Sequence, residues 1–256
     1  SHTYILTLKQ QACYGRRVVF YDQVGTGGSS RPDLKEAPWL LETEYYIHEL
    51  ESLISFLDID EIFVLGHSWG GMLALLYGIR RPENLKGLVL AGAISDAKLY
   101  YESQLAENLA SLPPHMEEYL ILTDRTDSYD GIYYKLSDHL TGMFTVRTFP
   151  MPSCVKDAYA SYNEQIYLEM QGPSEFQIHG VLADFNVTAN LSQINVPTLI
   201  THGKFDTVTT PVVQVLNEHI HGSQLRTYPH SGHMTFVDDA KAYNEEVAAF
   251  LNEVDL

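Results

Sequence analysis

Glu61-Ile62-Phe63-Val64-Leu65-Gly66-His67-Ser68-Trp69-Gly70-Gly71-Met72-Leu73-Ala74-Leu75-Leu76 is the stretch that decides how this chain folds. Its first five residues are a short apolar run, rich in β-branched and aromatic side chains, which reads as a buried strand. From Gly71 the pattern is that of an apolar helix, closed by Pro82. Between them stands a G-x-S-x-G pentad, Gly66 to Gly70. Strand, tight turn and helix in that order form a nucleophile elbow: the turn is strained, and glycines around the serine make room for it. Ser68 then stands at the carboxyl end of a sheet and at the start of a helix, where free N–H groups favour developing negative charge. His67, next to the nucleophile, points away from it and reads as a packed histidine behind the site.

The rest of the chain is consistent with that reading. It has 256 residues, enough for one large α/β domain, or for a core with a lid. Asp and Glu number 33 against 16 Lys and Arg, a formal charge of −17, which argues against nucleic acid and anionic membranes as partners. No apolar run approaches the ~20 residues of a membrane span. Two distant cysteines, Cys13 and Cys154, make no disulfide framework, so a reducing, cytoplasmic setting is the expectation. Two glycosylation patterns, at Asn186 and Asn190, read as chance matches without a secretory signal.

Residues 3–14 read as a helix ending at Gly15, and Arg17-Val18-Val19-Phe20-Tyr21 as a strand. The glycine-rich run Asp22–Ser30 follows a strand pattern, as a dinucleotide fingerprint would, but Arg31-Pro32-Asp33 continues the loop where that fingerprint must open into a helix. It reads as a structural turn beside the site. Residues 43–58 form an amphipathic helix with Thr43 as its cap, and Leu88-Val89-Leu90-Ala91 is a further strand. Alternating helices and strands imply a mostly parallel sheet with right-handed crossovers. The rhythm stops between about 94 and 190, where helical, tyrosine-rich segments replace strands; nine of the 17 tyrosines fall there. The stretch is too long for a loop and is expected to be a helical lid, most of whose tyrosines pack it onto the core. The expected organisation is a core of 1–93 and 191–256 with a lid of 94–190. The sheet resumes at Val196–His202, a helix covers about 211–219, Gln224–Tyr228 is the last strand, and 238–252 is the closing helix.

A serine hydroxyl needs a base in hydrogen-bond reach, and the base needs an acid to fix its tautomer. After an elbow of this kind the chain order is serine, acid, histidine. Asp206, in Gly203-Lys204-Phe205-Asp206 after the next-to-last strand, takes the acid position. His233, in Ser231-Gly232-His233-Met234 after the last strand, takes the base position; His230, at the strand end, has the weaker claim. The backbone N–H of Trp69 is the oxyanion donor this arrangement offers. His230 and His233 lack the acidic or cysteine partners of a metal site, so neither metal nor cofactor is expected.

Taken together, Asp22-Gln23-x-Gly25-x-Gly27-x-Ser29, Gly66-His67-Ser68-Trp69-Gly70-Gly71, Gly203-x-Phe205-Asp206 and Gly232-His233 resemble the proline iminopeptidase (prolyl aminopeptidase) group of α/β-hydrolases. The lid segment Tyr167-Leu168-Glu169-Met170-Gln171-Gly172-Pro173-Ser174-Glu175-Phe176 is similar to one in the tricorn-interacting aminopeptidase and L-amino-acid amidase branch. The resemblance spans essentially the whole chain. It implies an α/β-hydrolase fold and cleavage of an N-terminal residue, often proline, from short peptides or amides through an acyl-enzyme. It also implies that Glu175, with Tyr167 beside it, binds the substrate's amino group. Two departures stand out. The family's second amine-binding glutamate, directly after the catalytic aspartate, is here Thr207. The family's two amino-terminal strands and His-Gly-Gly-Pro type loop, which gives a further oxyanion donor, lie before the point where this sequence begins, and an incomplete sequence is the expectation. Two other readings use the same residues: an esterase or lactonase with the same triad, and a hydrolase-fold ligand receptor with little catalysis.

Overall fold

The computed structural model describes residues 1–255. Four strands, β1 (Ile62–His67), β2 (Leu85–Ala91), β3 (Thr198–Gly203) and β4 (Gln224–Tyr228), form one parallel sheet in the order β1-β2-β3-β4. Side-chain alternation puts Leu88, Leu90 and Ile200 on one face, and Val89, Ala91 and Leu199 on the other. Each face buries its own apolar layer. The first face carries the helices α1 (Thr43–Phe56), α2 (Trp69–Ile79) and, later in the chain, one over Thr210–His219. The second is covered by a 3₁₀ helix, Thr3–Tyr14, and the carboxyl-terminal helix. A parallel sheet needs this double cover: the inner strands β2 and β3 are buried almost throughout, whereas the edge strand β4 is only partly buried.

Between β2 and β3 the chain forms α3 (Ala97–Glu107), α4 (Pro114–Thr126), α5 (Gly131–Leu140), α6 (Ser153–Ser161) and α7 (Glu164–Met170). The only pairing there, among the described residues, is an isolated bridge from Asp96 to Asn186. This insertion has its own apolar cluster, with Leu109, Leu120, Tyr133, Leu140 and Phe144 buried together. It meets the core at the carboxyl edge of the sheet: the amides of His233 and Met234 donate to the carbonyls of Phe144 and Thr145, at 2.8 and 2.9 Å. Helices α8 (Thr210–His219), α9 (Thr235–Asp238) and α10 (Ala240–Val254) complete the fold.

Three expectations from the sequence change. Arg17–Tyr21 has strand-like residues but forms no ladder with any described strand, and a strand exists only through its ladder. Thr43 is not the cap of α1; Glu42 holds that position without a side-chain bond, because the Pro38–Leu41 turn delivers the chain one residue earlier. The closing helix starts at Ala240 rather than at 238, because the non-helical backbone of Asp239 makes a break between α9 and α10. The break leaves the Asp238 carboxylate free to accept from the amides of Arg147, Thr148 and Gly232. That one side chain joins the stretch after α5 in the insertion to the loop carrying His233.

Candidate active site

β1 ends at His67 and α2 begins at Trp69, so the whole reversal falls on Ser68. Its backbone sits at φ 56° and ψ −118°, a conformation that a residue with a side chain adopts only when the surroundings impose it. They do so through three bonds: the Ser68 amide donates to Ala91 O at 2.9 Å, and the amides of Gly71 and Met72 donate to Ser68 O at 2.8 and 3.1 Å. Gly66 is required here, since a Cβ on it would collide with the Gly70 carbonyl. Trp69 is the first residue of α2, and its N–H is one of the helix-start donors with no intrahelical acceptor. The indole of Trp69 donates to Gln23 Oε1 at 3.1 Å and so ties the glycine-rich loop to the elbow. That loop is no phosphate cradle. The amides of Gly25, Gly27 and Gly28 are taken by Ser30 O, Ser161 O and the Asp22 carboxylate.

Asp206 and His233 are 27 residues apart in sequence, and their side chains meet. His233 Nδ1 lies 2.6 Å from Asp206 Oδ1, and both side chains are almost wholly buried. A carboxylate only accepts, so Nδ1 carries the proton, and Nε2 keeps the lone pair that a base needs. Asp206 is itself held by the amide of Val208 at 2.7 Å, while Asn108 from the insertion donates to its carbonyl at 3.0 Å. Burial disfavours the imidazolium of His233, but the charge and hydrogen bond of Asp206, and the charge of Glu175, outweigh it and raise the His233 pKa above the ordinary imidazole value. Gly92, one residue past β2, lies against the ring. A Cβ there would be 2.7 Å from both His233 Cε1 and Nδ1. Ser68 is bonded to Ala91 and His233 packs on Gly92, so the ends of β1 and β2 place hydroxyl and imidazole at the same edge. Among the described residues no hydrogen bond joins Ser68 Oγ to Nε2; such bonds commonly tighten only with substrate. His230 is exposed at the strand end.

His67 is buried behind the site, its ring centroid 4.4 Å from that of His233. The sequence marked it as a packed residue, but nothing in the local pattern showed that its Nε2 reaches the His233 carbonyl, at 3.1 Å. Burial, then the neighbouring His233, hold its pKa well below the usual value, so it stays neutral.

On the insertion between β2 and β3, the Tyr167 hydroxyl donates to Glu175 Oε1. The Glu175 carboxylate is exposed, while its main chain is pinned: Tyr100 OH donates to Glu175 O at 2.7 Å and Gln104 Nε2 to Phe176 O at 2.9 Å. Thr207 is buried beside Asp206, and a narrow cleft is lined by Thr207, Glu175, Phe176 and Phe144. Asp206 and His233 thus meet at the carboxyl edge of the sheet beside the elbow of Ser68, Thr207 and Glu175 share the adjoining cleft, and Tyr167 bonds to Glu175. The anchoring roles of Asn108, Asp238 and Gly92 were not legible, because each depends on a partner far away in sequence: Asp206 for Asn108, Arg147 and Thr148 for Asp238, and His233 for Gly92.

Residues 5–240 match the family model described as the alpha/beta hydrolase fold. The chain is similar to the proline iminopeptidase of Saccharolobus solfataricus, 33% identical over 99% of this chain and 82% of that protein. It is also similar to the proline iminopeptidase of Thermoplasma volcanium, at 30% over 99% of this chain and 85% of that protein. Among solved structures it superposes on a proline iminopeptidase from Mycobacterium smegmatis with a TM-score of 0.90, at 26% identity, covering 100% of this chain and 86% of that one.

Proposed function

Because the chain belongs to the α/β-hydrolase family, and within it to the proline iminopeptidases, we propose that it is a serine aminopeptidase removing an N-terminal residue, proline or one like it, from short peptides or aminoacyl amides. The observation that carries the mechanism is the 2.6 Å bond between buried Asp206 and His233 beside the strained elbow of Ser68.

In this reading Ser68 Oγ attacks the scissile carbonyl as His233 Nε2 takes its proton. The Trp69 N–H stabilises the oxyanion, backed by the amino-terminal end of α2. His233 then gives the proton to the departing amine, leaving an acyl-enzyme. Water, deprotonated by the same imidazole, hydrolyses that ester and restores Ser68. Glu175 receives the substrate's ammonium group, with Tyr167 fixing its carboxylate. The lid, taken as residues 94–190, covers the site and limits it to small substrates. Asp206 does not change charge; it holds His233 in the tautomer that leaves Nε2 open. The unpaired cysteines, Cys13 and Cys154, fit a reducing, cytoplasmic setting.

A fluorophosphonate probe and a substrate panel test the proposal. Ser68 should be labelled, Ser68→Ala should fold and lose turnover, and a prolyl anilide should outrun both an N-blocked anilide and a short acyl ester. Full turnover in Ser68→Ala refutes the nucleophile. Preference for the ester or the blocked anilide refutes the aminopeptidase specificity and returns the esterase reading, which the neutral Thr207 in the cleft would then explain.

A further inference from the structure

His67 touches the proposed base in two ways and is itself held from behind, although a residue beside a nucleophile has no chemical reason to be buried and doubly bonded. Its Nε2 lies 3.1 Å from His233 O, and its Nδ1 lies 3.1 Å from Tyr4 OH. The roles are fixed by donor chemistry. A backbone carbonyl only accepts, so Nε2 carries the proton; the neutral ring then accepts at Nδ1, and Tyr4 must be the donor. Burial raises the Tyr4 pKa, so that hydroxyl keeps its proton. Phe236 closes the pocket edge-on, its ring centroid 4.9 Å from that of His67.

We propose that His67 is a positioning residue for the proton transfer: it fixes His233 through the backbone carbonyl and the ring face, and Tyr4 fixes His67 in the one tautomer that does this. The proposal rests on His233 being the base for Ser68. The ring of His233 is otherwise set by Asp206 at Nδ1 and by Gly92, and its backbone amide by Phe144 O. Without His67 one side of the imidazole and its main-chain carbonyl lose their partner. A buried acceptor without a donor shifts toward water, and a displacement of about 1 Å at a reacting group costs on the order of 100-fold in rate.

The test compares wild type with His67→Leu, His67→Gln and Tyr4→Phe, each checked for thermal unfolding. Leucine fills space without an N–H, whereas the glutamine amide can donate to His233 O. His67→Leu should lower kcat about 10- to 100-fold with KM within about threefold, and slow fluorophosphonate labelling of Ser68 in parallel. His67→Gln should recover most of the loss. Tyr4→Phe should fall between wild type and His67→Leu in kcat. Wild-type kcat and labelling rate in His67→Leu, or a loss confined to KM, overturns the proposal. If His67→Leu does not fold, Tyr4→Phe decides, and unchanged kcat there overturns it as well. Absence of labelling on wild-type Ser68 would instead sink the catalytic reading beneath it, so the two failures are separable.

Discussion

Gly92→Ala probes the site at the place where backbone and base come closest. Gly92 has φ +52°, and a Cβ built on it lies 2.7 Å from His233 Nδ1 and Cε1 and 3.4 Å from Asp206 Oδ2. Ordinary contact begins near 3.4 Å, so the ring or the strand end must yield by about 0.7 Å. The ring has little room to do so: Asp206 holds Nδ1 at 2.6 Å, and His67 packs at 4.4 Å between centroids. The substitution should therefore push Nε2 out of line with Ser68 and lower kcat on the order of 100-fold, about 2.7 kcal/mol of barrier. The left-handed backbone adds a stability cost of roughly 1–2 kcal/mol, a drop of about 2–8 °C in Tm for a chain of this size. Steady-state kinetics on a prolyl anilide, with a calorimetric Tm, read both effects. A folded Gly92→Ala enzyme with kcat within threefold of wild type would show that the imidazole does not depend on that contact, and the argument from the end of β2 would fail.

Asp206→Asn puts an amide donor within reach of the Nδ1 proton. The imidazole then favours the tautomer protonated at Nε2, and kcat should fall about 10⁴-fold while KM changes little; a loss under tenfold in a folded variant counts against the triad. Glu175→Gln removes a charge that raises the His233 pKa, so the acid limb of kcat/KM should move to lower pH. The sign follows from the base acting when neutral: wild type loses activity as pH falls through a raised pKa, and a less raised pKa postpones that loss. The measurement uses an acyl ester without an amine, so that substrate titration does not intrude, and an unmoved or upward-moving limb refutes the coupling. Thr207→Glu sets a second carboxylate in the cleft shared with Glu175 and should raise preference for free over blocked amino ends about tenfold. Unaltered preference would argue against that cleft as the amine site.

Much of this molecule was readable from local pattern. The apolar run before Gly66 and the small-residue helix after Ser68 mark strand, turn and helix directly, because both periods are properties of a few consecutive residues. The strands at Leu85–Ala91, Thr198–Gly203 and Gln224–Tyr228 and the absence of strands from the insertion were legible for the same reason. So were Ser68, Asp206 and His233 as candidates, since each follows its own strand. Arg17–Tyr21 has the same kind of pattern and still makes no ladder, for pairing needs a neighbour that no local pattern supplies.

What the sequence determined was therefore the order of elements and which side chains stand at the strand ends. The tertiary structure alone decided which atoms meet: Asp206 with Nδ1 rather than Nε2, Tyr4 behind His67 and His67 behind His233, Asn108 and Asp238 bracing the loops, and Gly92 under the ring. Those contacts join residues as many as 166 positions apart. Hydrophobic periodicity sets which face of an element is buried, but donor, acceptor and tautomer are chosen only when packing has brought the far partner within hydrogen-bond distance.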